Sequence, residues 1–422
     1  MVPQLSAGAL TAALAGLASA SPVQPMVRTF SVSQVANPNF QPHGPAQLAR
    51  ALVKYGAPLS DNLARTVARL DADHIITRDK GSSNASPLSY DHAYITAVEI
   101  GTPPQSLNLA IDSGSSDLWV FSTETPFQEL AGQERYNVTK SETAKLVDGA
   151  TWKITYGDHS YSSGIVYRDE VTLGGVTVKD QAVEVATNVS RQFTMDGNTD
   201  GLLGLAFSKI NTVKPKQENT WFDNAVKTLD APVWTADLKY GQPGTYDFGF
   251  INNTKHKGNI SYVDVDSSNG LWTINTSGYR VGNGTFQAVS FKAIADTGTS
   301  LALLPENIVK EYYSAVTDAI YDEQWDGYTF PCTTRPPKFV LGVGEARITI
   351  PSKYINYSAD INNHTCYGGI QSDGKIGFSI LGDVFLKSAF VVFDATPDKP
   401  LLGLAKKKLT FKKILTSERS RA

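Results

Sequence analysis

The chain has 422 residues, which exceeds one ordinary hydrophobic core and leaves room for targeting or regulatory segments beside a folded body. Hydrophobic residues make up 41% of it, and 34 Gly with 21 Pro favour a globular protein rich in β-strands over a helical bundle. The net charge is −3, but residues 81–405 hold 24 basic and 36 acidic groups, a net charge of −12 that argues against nucleic-acid binding.

The first twenty residues have the pattern of a secretory signal peptide. Small and apolar residues run from Ala7 to Ala20 and end in Ala18-Ser19-Ala20, although the usual basic start is missing. A membrane anchor is disfavoured because the run is short and rich in Ala and Gly. We therefore expect residues 1–20 to be removed and the protein to be extracellular. Nine Asn-x-Ser/Thr sequons fit this route, at Asn84, Asn137, Asn188, Asn252, Asn259, Asn275, Asn283, Asn356 and Asn363.

Residues 21–80 differ in texture from the chain that follows. Apolar residues at helical spacing between Ser60 and Leu70 predict a short basic amphipathic helix with Ser60 as its N-cap. From Asp91 onward, short alternating segments broken by Gly and Pro indicate strands, the first being Tyr94–Ile100.

The body of the chain is predicted to be mostly β. Residues 171–178 are typical of a hairpin with a Gly-Gly turn at 174–175. The best helix candidates run from Trp221 to Leu229 and from Pro305 to Val316.

Two cysteines, Cys332 and Cys366, are the whole complement of the chain. In an oxidising compartment a disulfide between them is favoured over two free thiols. Such a bridge stabilises by about 3–4 kcal/mol on the chain-entropy argument. No metal-ligand spacing is found among the cysteines and six scattered histidines, so we expect neither a metal nor another cofactor.

An internal repeat points to a two-lobed protein. Residues 110–116, with Asp112-Ser113-Gly114 at their centre, recur 184 positions later as residues 294–300 with Asp296-Thr297-Gly298. Each copy is followed by two apolar residues and a Gly, at 202–204 and at 380–382. Two similar lobes facing each other would bring the aspartates together at their junction.

Paired carboxylates predict hydrolytic chemistry. Because two carboxylates in contact cannot both ionise cheaply, they share one proton and titrate as a unit, a logic for which aspartic proteases are the standard example. The ionised partner can take a proton from a bridging water while the protonated one donates to a scissile carbonyl. Glycine after each Asp-(Ser/Thr) allows close approach of the loops, and the hydroxyls of Ser113 and Thr297 can hydrogen-bond across them.

The motifs together resemble the pepsin family of aspartic peptidases, in its fungal penicillopepsin/aspergillopepsin branch. The likeness covers residues 46–404 in order. It implies a mostly β, bilobal fold with a few short helices and a cleft between two lobes related by a pseudo-two-fold axis. The N-terminal lobe would span residues 81–270 and the C-terminal lobe residues 271–405. The segments that carry it are residues 112–120, 152–164, 296–300, 368–372 and 380–388.

The same resemblance implies a role for each matched residue. Asp112 and Asp296 would be catalytic, with Ser113, Thr297 and Trp119 as support. Substrate would contact Gly114, Ser115, Gly298 and Thr299, and also Tyr156, Gly157 and Asp158 on a flap that closes over the cleft. Core packing is the alternative for Tyr156 and Trp119. In these fungal relatives an acidic residue at the position of Asp158 is associated with substrates that carry Lys just before the cleaved bond, in addition to bulky apolar residues. The physical reason is that a carboxylate can pair with an ammonium.

The flap tip departs from the branch. His159 and Tyr161 stand where relatives carry small residues, which would narrow the cleft or alter flap closure, although a solvated surface His is the commoner case. Ser113 replaces the more usual Thr and keeps its hydroxyl.

Residues 21–80 would then be an activation propeptide. Residues 46–56 resemble the propeptide of fungal zymogens, and Lys54 would pair with the aspartates as an intramolecular inhibitor; an ordinary exposed lysine is the alternative. Maturation is expected between Arg78 and Pro87, in a predicted exposed loop. Residues 406–422 form a basic C-terminal segment, expected to be solvated or trimmed.

The sequence therefore predicts a monomeric, secreted aspartic endopeptidase that cleaves proteins and peptides at acidic pH. The alternative is a catalytically dead pepsin-like binding or inhibitor protein. Such proteins usually lose an aspartate, the flap Tyr or a motif Gly, and this chain keeps all of them.

Overall fold

The structure is a computed structural model that describes residues 28–37, 40, 42–78, 94–155, 161–190, 198–360 and 364–409. For residues 70–78 and 155 it describes the backbone only. The predicted signal peptide, Tyr156 to Ser160 and residues 410–422 lie outside the described residues, as do the sequons at Asn84 and Asn363. So does the expected maturation segment after Arg78.

Strands dominate the fold, as the sequence predicted. In chain order they are β1 (Phe30–Ser33), β2 (Val35–Ala36), β3 (Tyr94–Ile100), β4 (Gln105–Asp112), β5 (Leu118–Val120), β6 (Lys145–Thr155), β7 (Tyr161–Leu173), β8 (Val176–Val189), β9 (Gly201–Gly204), β10 (Val233–Asp237), β11 (Thr245–Phe248), β12 (Lys257–Asp264), β13 (Thr273–Asn275), β14 (Gly278–Val281), β15 (Lys292–Ala295), β16 (Ala302–Leu304), β17 (Ile320–Asp322), β18 (Gly327–Pro331), β19 (Phe339–Val343), β20 (Ala346–Ile350), β21 (Asn356–Ala359), β22 (Thr365–Gly368), β23 (Ile370–Ser372), β24 (Ser379–Leu381), β25 (Ala389–Asp394) and β26 (Leu401–Lys406).

The described helices are short apart from two near the N-terminus. They are α1 (Gly44–Lys54), α2 (Asp61–Arg78), α3 (Trp221–Ala225), α4 (Glu306–Ser314), α5 (Ser352–Ile355) and α6 (Asp383–Leu386). Single 3₁₀ turns cover Phe127–Glu129, Val138–Lys140, Ser208–Ile210 and Val226–Thr228.

Several local predictions are confirmed. The first strand of the body is β3, and the hairpin at 171–178 turns through Gly174 and Gly175, whose φ angles are 58° and 88°. Ser60 caps α2 by accepting a hydrogen bond from the backbone N–H of Leu63 at 3.1 Å, but the helix continues beyond the predicted end to Arg78. Helix α4 has the predicted position, whereas the 221–229 helix breaks into α3 and a 3₁₀ turn.

Three large sheets organise the two lobes. The eight-stranded sheet, in the order β2-β3-β4-β9-β5-β8-β7-β6, carries the first Asp motif, and the five-stranded sheet, β13-β15-β24-β16-β23, carries the second. The six-stranded sheet, β1-β11-β10-β25-β26-β12, pairs strands from before residue 270 with strands from after residue 388. The fold is therefore mostly β and bilobal, in agreement with the predicted class.

Large aromatic side chains fill the core between the sheets. Trp221, Trp234 and Trp272 are almost completely buried. Trp234 stacks on Phe393 with ring centroids 3.8 Å apart, which packs β10 against β25 across the six-stranded sheet. Burial of aromatic surface on this scale is the main stabilising contribution to such a core.

The predicted disulfide joins Cys332 to Cys366 across 34 residues. Cys366 lies in β22, which pairs with β18 immediately before Cys332. Among the described residues no group of three or more His, Cys, Asp or Glu side chains is arranged to hold a metal ion. Within the same residues no helix combines the length and apolarity needed to cross a membrane.

Candidate active site

The two Asp-(Ser/Thr)-Gly loops follow equivalent strands in the two lobes. Asp112 ends β4, which runs parallel to β9 with Asp112 opposite Gly204. Asp296 directly follows β15, which runs parallel to β24 with Ala295 opposite Leu381. Strands β5 and β16 then pair antiparallel with β9 and β24. The repeat found in the sequence corresponds to one strand arrangement built twice.

Reciprocal hydrogen bonds tie the loops together across the lobe junction. The Ser113 N–H donates to Thr297 Oγ1 and the Thr297 N–H donates to Ser113 Oγ, both at 3.0 Å. Each hydroxyl in turn donates to a backbone carbonyl of the other loop, Ser113 to Ala295 at 2.9 Å and Thr297 to Ile111 at 2.8 Å. All four groups are satisfied within the protein, so the loops are fixed relative to each other without water.

Each aspartate is buried and oriented by a hydroxyl three residues later. Asp112 and Asp296 are 1% and 0% exposed. Ser115 Oγ donates to Asp112 Oδ2 at 2.6 Å, and Thr299 Oγ1 donates to Asp296 Oδ2 at 2.5 Å. These bonds occupy one oxygen of each carboxyl group and leave the other turned towards the partner loop.

The motif glycines allow that close approach. Their N–H groups donate to Oδ1 of the preceding aspartate, Gly114 to Asp112 at 2.8 Å and Gly298 to Asp296 at 2.9 Å. A Cβ on Gly298 would lie 2.3 Å from Asp112 Oδ1, and one on Gly114 would lie 2.6 Å from Asp296 Oδ1. No side chain fits at either position while the carboxylates face each other.

Lys54 occupies the space in front of the pair. Its ammonium lies 2.8 Å from Asp112 Oδ1 and 3.0 Å from Asp296 Oδ2. The adjacent Tyr55 hydroxyl donates to Asp296 Oδ2 at 2.7 Å. The ammonium and hydroxyl thus fill the position between the carboxylates at which a nucleophilic water would be activated.

Helix α1 positions these two residues. Its apolar face, including Leu48, Leu52 and Val53, is buried against the body. The helix ends at Lys54 and the chain turns through Gly56 with φ of 72°, a conformation that favours glycine after a helix. A cation in the last turn also suits the negative end of the helix dipole.

The environment shifts the pKa values of the two carboxyl groups in opposite directions. Burial raises the pKa of Asp112, and the charge of Lys54 opposes that shift only in part. Burial also disfavours ionisation of Asp296, but the Lys54 charge and hydrogen bonds from Asp112, Thr299 and Tyr55 hold its pKa at about 2. Asp296 is therefore the more acidic of the two carboxyl groups in this arrangement, and the pair titrates as a unit.

The predicted flap lies mostly outside the described residues, which exclude Tyr156, Gly157, Asp158 and His159. The strands that lead into it are antiparallel, and their last described pair joins residue 155 to residue 161. Tyr161 is partly exposed, with the Lys153 ammonium 5.4 Å from its ring centroid. Trp119 is buried and stacks on Trp152 at 5.9 Å.

Sequence reasoning missed Tyr55 and Gln47. Gln47 Oε1 accepts a hydrogen bond from Ser300 Oγ at 3.2 Å, close to the Asp-Thr-Gly motif at 296–298. Tyr55 was within reach of prediction because it follows Lys54 directly, but only the helix end shows that both side chains enter the same space. Lys54 contacts both aspartates. Ser113 and Thr297 hydrogen-bond to each other's loops. The four loop residues predicted to contact substrate, Gly114, Ser115, Gly298 and Thr299, each donate a hydrogen bond to the aspartate of their own motif.

Similarity to known proteins extends over most of the chain. Residues 93–407 match the eukaryotic aspartyl protease family. Endothiapepsin from Cryphonectria parasitica is 48% identical over 94% of this chain and 98% of its own length. Podosporapepsin from Podospora anserina is 49% identical over 90% and 91%, and aspergillopepsin-1 from Aspergillus oryzae is 46% identical over 92% and 95%.

Proposed function

The chain belongs to the pepsin family of aspartyl proteases and is an aspartic endopeptidase, and we propose that it is secreted as a zymogen with Asp112 and Asp296 as its catalytic pair. The observation that carries this assignment is the pair of buried carboxyl groups at the lobe junction, whose loops are joined by reciprocal hydrogen bonds. Burial of two adjacent acids is costly and is typical of a catalytic site.

Peptide hydrolysis follows from this geometry once the cleft is free. A water held between the carboxylates loses a proton to the ionised aspartate as it attacks the scissile carbonyl. The protonated aspartate donates its proton to the carbonyl oxygen, which gives a tetrahedral diol. The aspartate that took the proton of the water then passes it to the peptide nitrogen, the other aspartate takes a proton from a diol hydroxyl, and the C–N bond breaks to give a carboxylic acid and an amine. Pre-organised loops keep both groups in place, so the acids and the water meet the peptide without large rearrangement.

Residues 21–80 act as an activation propeptide in this proposal. Lys54 and Tyr55 hold the position of the catalytic water, and α1 covers the cleft that substrate would enter. Charge pairing supports latency as long as the aspartates are ionised. Acid removes part of that charge, so the propeptide is released and cleaved after residue 78.

Secretion is supported by the N-terminal signal pattern and by the sequons. The seven that lie in the described residues all carry an Asn that is exposed or half-exposed, at Asn137, Asn188, Asn252, Asn259, Asn275, Asn283 and Asn356. The enzyme is proposed to act as a monomer on protein and peptide substrates. N-terminal sequencing of the secreted and of the acid-activated protein, with gel filtration of both, tests these assignments together.

The catalytic assignment is tested by Asp112→Asn and Asp296→Asn. Each variant should lose acid-dependent, pepstatin-sensitive cleavage of haemoglobin by at least about 10²–10⁴-fold, the usual loss for a general acid or base. Asp148→Asn, which changes an exposed aspartate of the same lobe, should remain as active as the unmodified chain. Absence of cleavage by the unmodified chain after acid treatment would instead favour a pepsin-like binding protein.

Substrate preference is proposed for bulky apolar residues, with Lys also accepted before the cut through Asp158 on the flap. Asp158→Thr should lower kcat/KM for a peptide with Lys at that position and leave a matched apolar peptide unaffected. Equal kcat/KM for the Lys peptide in both proteins would refute the role of Asp158.

A further inference from the structure

A second pair of buried acids lies behind the first catalytic loop. Asp117 directly precedes β5, and Glu184 lies in β8, where it is opposite Trp119 in the parallel pairing of these strands. The two residues are 2% and 1% exposed. Within the described part of the chain, neither carboxyl group forms an ion pair with Lys, Arg or His. Burial of two acids without a cation requires another source of compensation.

Asn211 bridges the two acids. Its amide Nδ2 donates to Glu184 Oε1 at 2.8 Å and to Asp117 Oδ1 at 3.1 Å. Its Oδ1 accepts backbone N–H groups from Val213 at 3.1 Å and Glu218 at 2.9 Å, which fixes the orientation of the amide. The nitrogen side of Asn211 therefore faces both carboxyl groups.

One oxygen of the acid pair is left without a donor in the part of the chain that the structure describes. Thr212 donates to Asp117 Oδ1 from its N–H at 2.8 Å and its hydroxyl at 2.9 Å, whereas Glu184 Oε2 is buried with no donor among the described residues. Both carboxyl groups accept from the same amide nitrogen of Asn211, so they share one buried site. Two carboxyl groups in one buried site without a cation cannot both ionise cheaply, so one of them keeps its proton. Glu184 Oε2 is the oxygen that a proton would satisfy.

The electrostatic environment agrees with this placement of the proton. Burial raises the pKa of Glu184 well above its usual range, and the nearby Asp117 charge raises it further. Burial also raises the pKa of Asp117, but hydrogen bonds from the Thr212 N–H and hydroxyl oppose that shift. Asp117 is therefore the ionised member of the pair.

The pair is connected to the loop that carries Asp112. Asn211 Nδ2 also lies 3.3 Å from the Ser116 carbonyl oxygen, and Ser116 Oγ donates to the Phe207 carbonyl at 2.7 Å. The Asp112 carbonyl accepts from the Leu205 N–H at 2.7 Å. Residues 112–117 are thus clamped along residues 204–212, and the acid pair holds the far end of that clamp.

We propose that Glu184 is a positioning residue for the peptidase reaction: its carboxylic proton joins it to Asp117 and fixes the loop that presents Asp112. This role rests on the proposed catalytic function of Asp112. When the proton is lost, two negative charges face each other in one buried site. Asp112 and Glu218 add further negative charge, and Arg168, 2.6 Å from Glu218, is already paired.

The direction of the pH effect follows from the sign of the shift. A carboxyl group whose pKa is raised in the fold stabilises fully below its unfolded value, and this contribution is lost as the pH rises through the folded value. The acid pair should therefore hold the loop firmly in acid and loosen it towards neutral pH. Positioning by Glu184 would set an upper limit to the pH range of the enzyme.

Glu184→Gln is the decisive variant because its amide replaces the acidic proton with a donor that does not titrate. Infrared difference spectra of the zymogen at mildly acidic pH should lose one protonated-carboxyl band relative to the unmodified chain. Asp112→Asn identifies any band that arises from the catalytic pair. The midpoint of inactivation on raising the pH should move upward by about one unit or more in Glu184→Gln. Asp148→Asn, which removes an exposed charge outside this network, should leave that midpoint unchanged.

Positioning is tested separately with Glu184→Leu. We expect kcat to fall by about 10–10²-fold with KM changed less than about twofold, the pattern of a misplaced catalytic group, and Glu184→Gln should restore kcat in acid. If Glu184→Leu fails to fold, the spectra and pH midpoint of Glu184→Gln still decide. An unchanged spectrum or an unchanged midpoint in Glu184→Gln would overturn the proposal. Full activity of Asp112→Asn would instead refute the catalytic assignment and leave the spectral test intact.

Discussion

The absence of a side chain at Gly298 is a requirement of the carboxylate pair. An alanine Cβ would lie 2.3 Å from Asp112 Oδ1 and 2.5 Å from its Cγ. Gly298→Ala should therefore separate the aspartates and lower kcat at least about 10²-fold, since displacement of a catalytic group by one ångström has that effect. Peptide hydrolysis by the acid-treated protein measures the loss. Gly284→Ala, at a position whose nearest atom is 3.2 Å away, should keep its activity.

The hydroxyl of Thr297 performs two tasks that a methyl group cannot. It accepts the Ser113 N–H and donates to the Ile111 carbonyl, both buried within the lobe junction. Thr297→Val keeps the shape but leaves these groups unpaired, at a cost of about 1–3 kcal/mol each. We expect a lower melting temperature and a lower kcat, whereas Thr297→Ser should resemble the unmodified chain. Equal stability of the Val and Ser variants would contradict the importance of the cross-loop bonds.

For single residues, the sequence predicts the contacts that form within one short motif. Asp112, its glycine and the following serine lie within four residues, so their mutual hydrogen bonds follow from the motif. Tyr55 and Gln47 were not predicted, because their contacts depend on how α1 lies across the cleft. Glu184 and Asn211 were missed for the same reason: they are separated by 27 residues and meet only through strand packing.

Helix α1 combines a buried apolar face with an end that reaches the proposed catalytic pair, Asp112 and Asp296. Lys54→Gln should open the cleft to substrate at neutral pH, so the uncut precursor would cleave a short fluorogenic peptide that the unmodified zymogen leaves intact. Burial opposes the charge on Lys54, but Asp112 and Asp296 raise its pKa, so the lysine stays charged and the aspartates supply the pH dependence. Arg69→Ala, an exposed basic residue of the same segment, is the control and should stay latent.

The pH range of this lock follows from Asp296. Its pKa is about 2 in the locked chain, against an ordinary value of 3.8. The stabilisation that it provides is complete above about pH 4 and is lost as the pH falls towards 2. Release of the propeptide, followed by gel electrophoresis at graded pH, should therefore rise across that interval. Latency that persists in Lys54→Gln at neutral pH would refute the lock.

Elements with a strong local signal were predicted best. Strand β3, the Gly-Gly hairpin and the Ser60 cap depend on alternation and turn chemistry within a few residues, and the structure contains all three. Helix α1 was not predicted as a helix, although its burial is extensive. Helix α2 is also longer than predicted. The apolar spacing stops at Leu70, but no proline or glycine ends the helix before Arg78.

The whole molecule depends on pairings between distant parts of the chain. Strand β1 pairs with β11, and β10 with β25, across more than 150 residues in each case. Only the Asp repeat indicated such long-range order from sequence, since a repeated motif predicts a symmetry that single strands do not. The six-stranded sheet between the lobes carries no repeated motif and was therefore not predicted.

The disulfide restrains one of these long connections in the C-terminal lobe. Cys332→Ala with Cys366→Ala should lower the free energy of unfolding by about 3–4 kcal/mol, given the 34 residues that the bridge spans. Urea unfolding of the acid-activated enzyme measures the change. Reduction should bring the unmodified chain to the same midpoint and leave the double variant unchanged. A double variant as stable as the oxidised chain would refute a stabilising role.

The beginning of the basic C-terminal segment belongs to the folded body. Lys406 is the last residue of β26 and pairs with Lys257 and Ala389. The Lys407 side chain is only 3% exposed. Its ammonium lies 3.1 Å from Asp237 Oδ1 and also donates to the Leu238 carbonyl. Trimming of the tail should therefore be harmless only beyond this ion pair. A chain ending at Lys408 should keep its melting temperature, whereas one ending at Lys406 should lose up to about 3 kcal/mol, because removal of one partner leaves a buried charge. Lys239, 3.6 Å from the other Asp237 oxygen, limits that loss. Lys407→Ala in the full chain should match the shorter truncation, and equal stability of the two truncated proteins would show that the fold ends at β26.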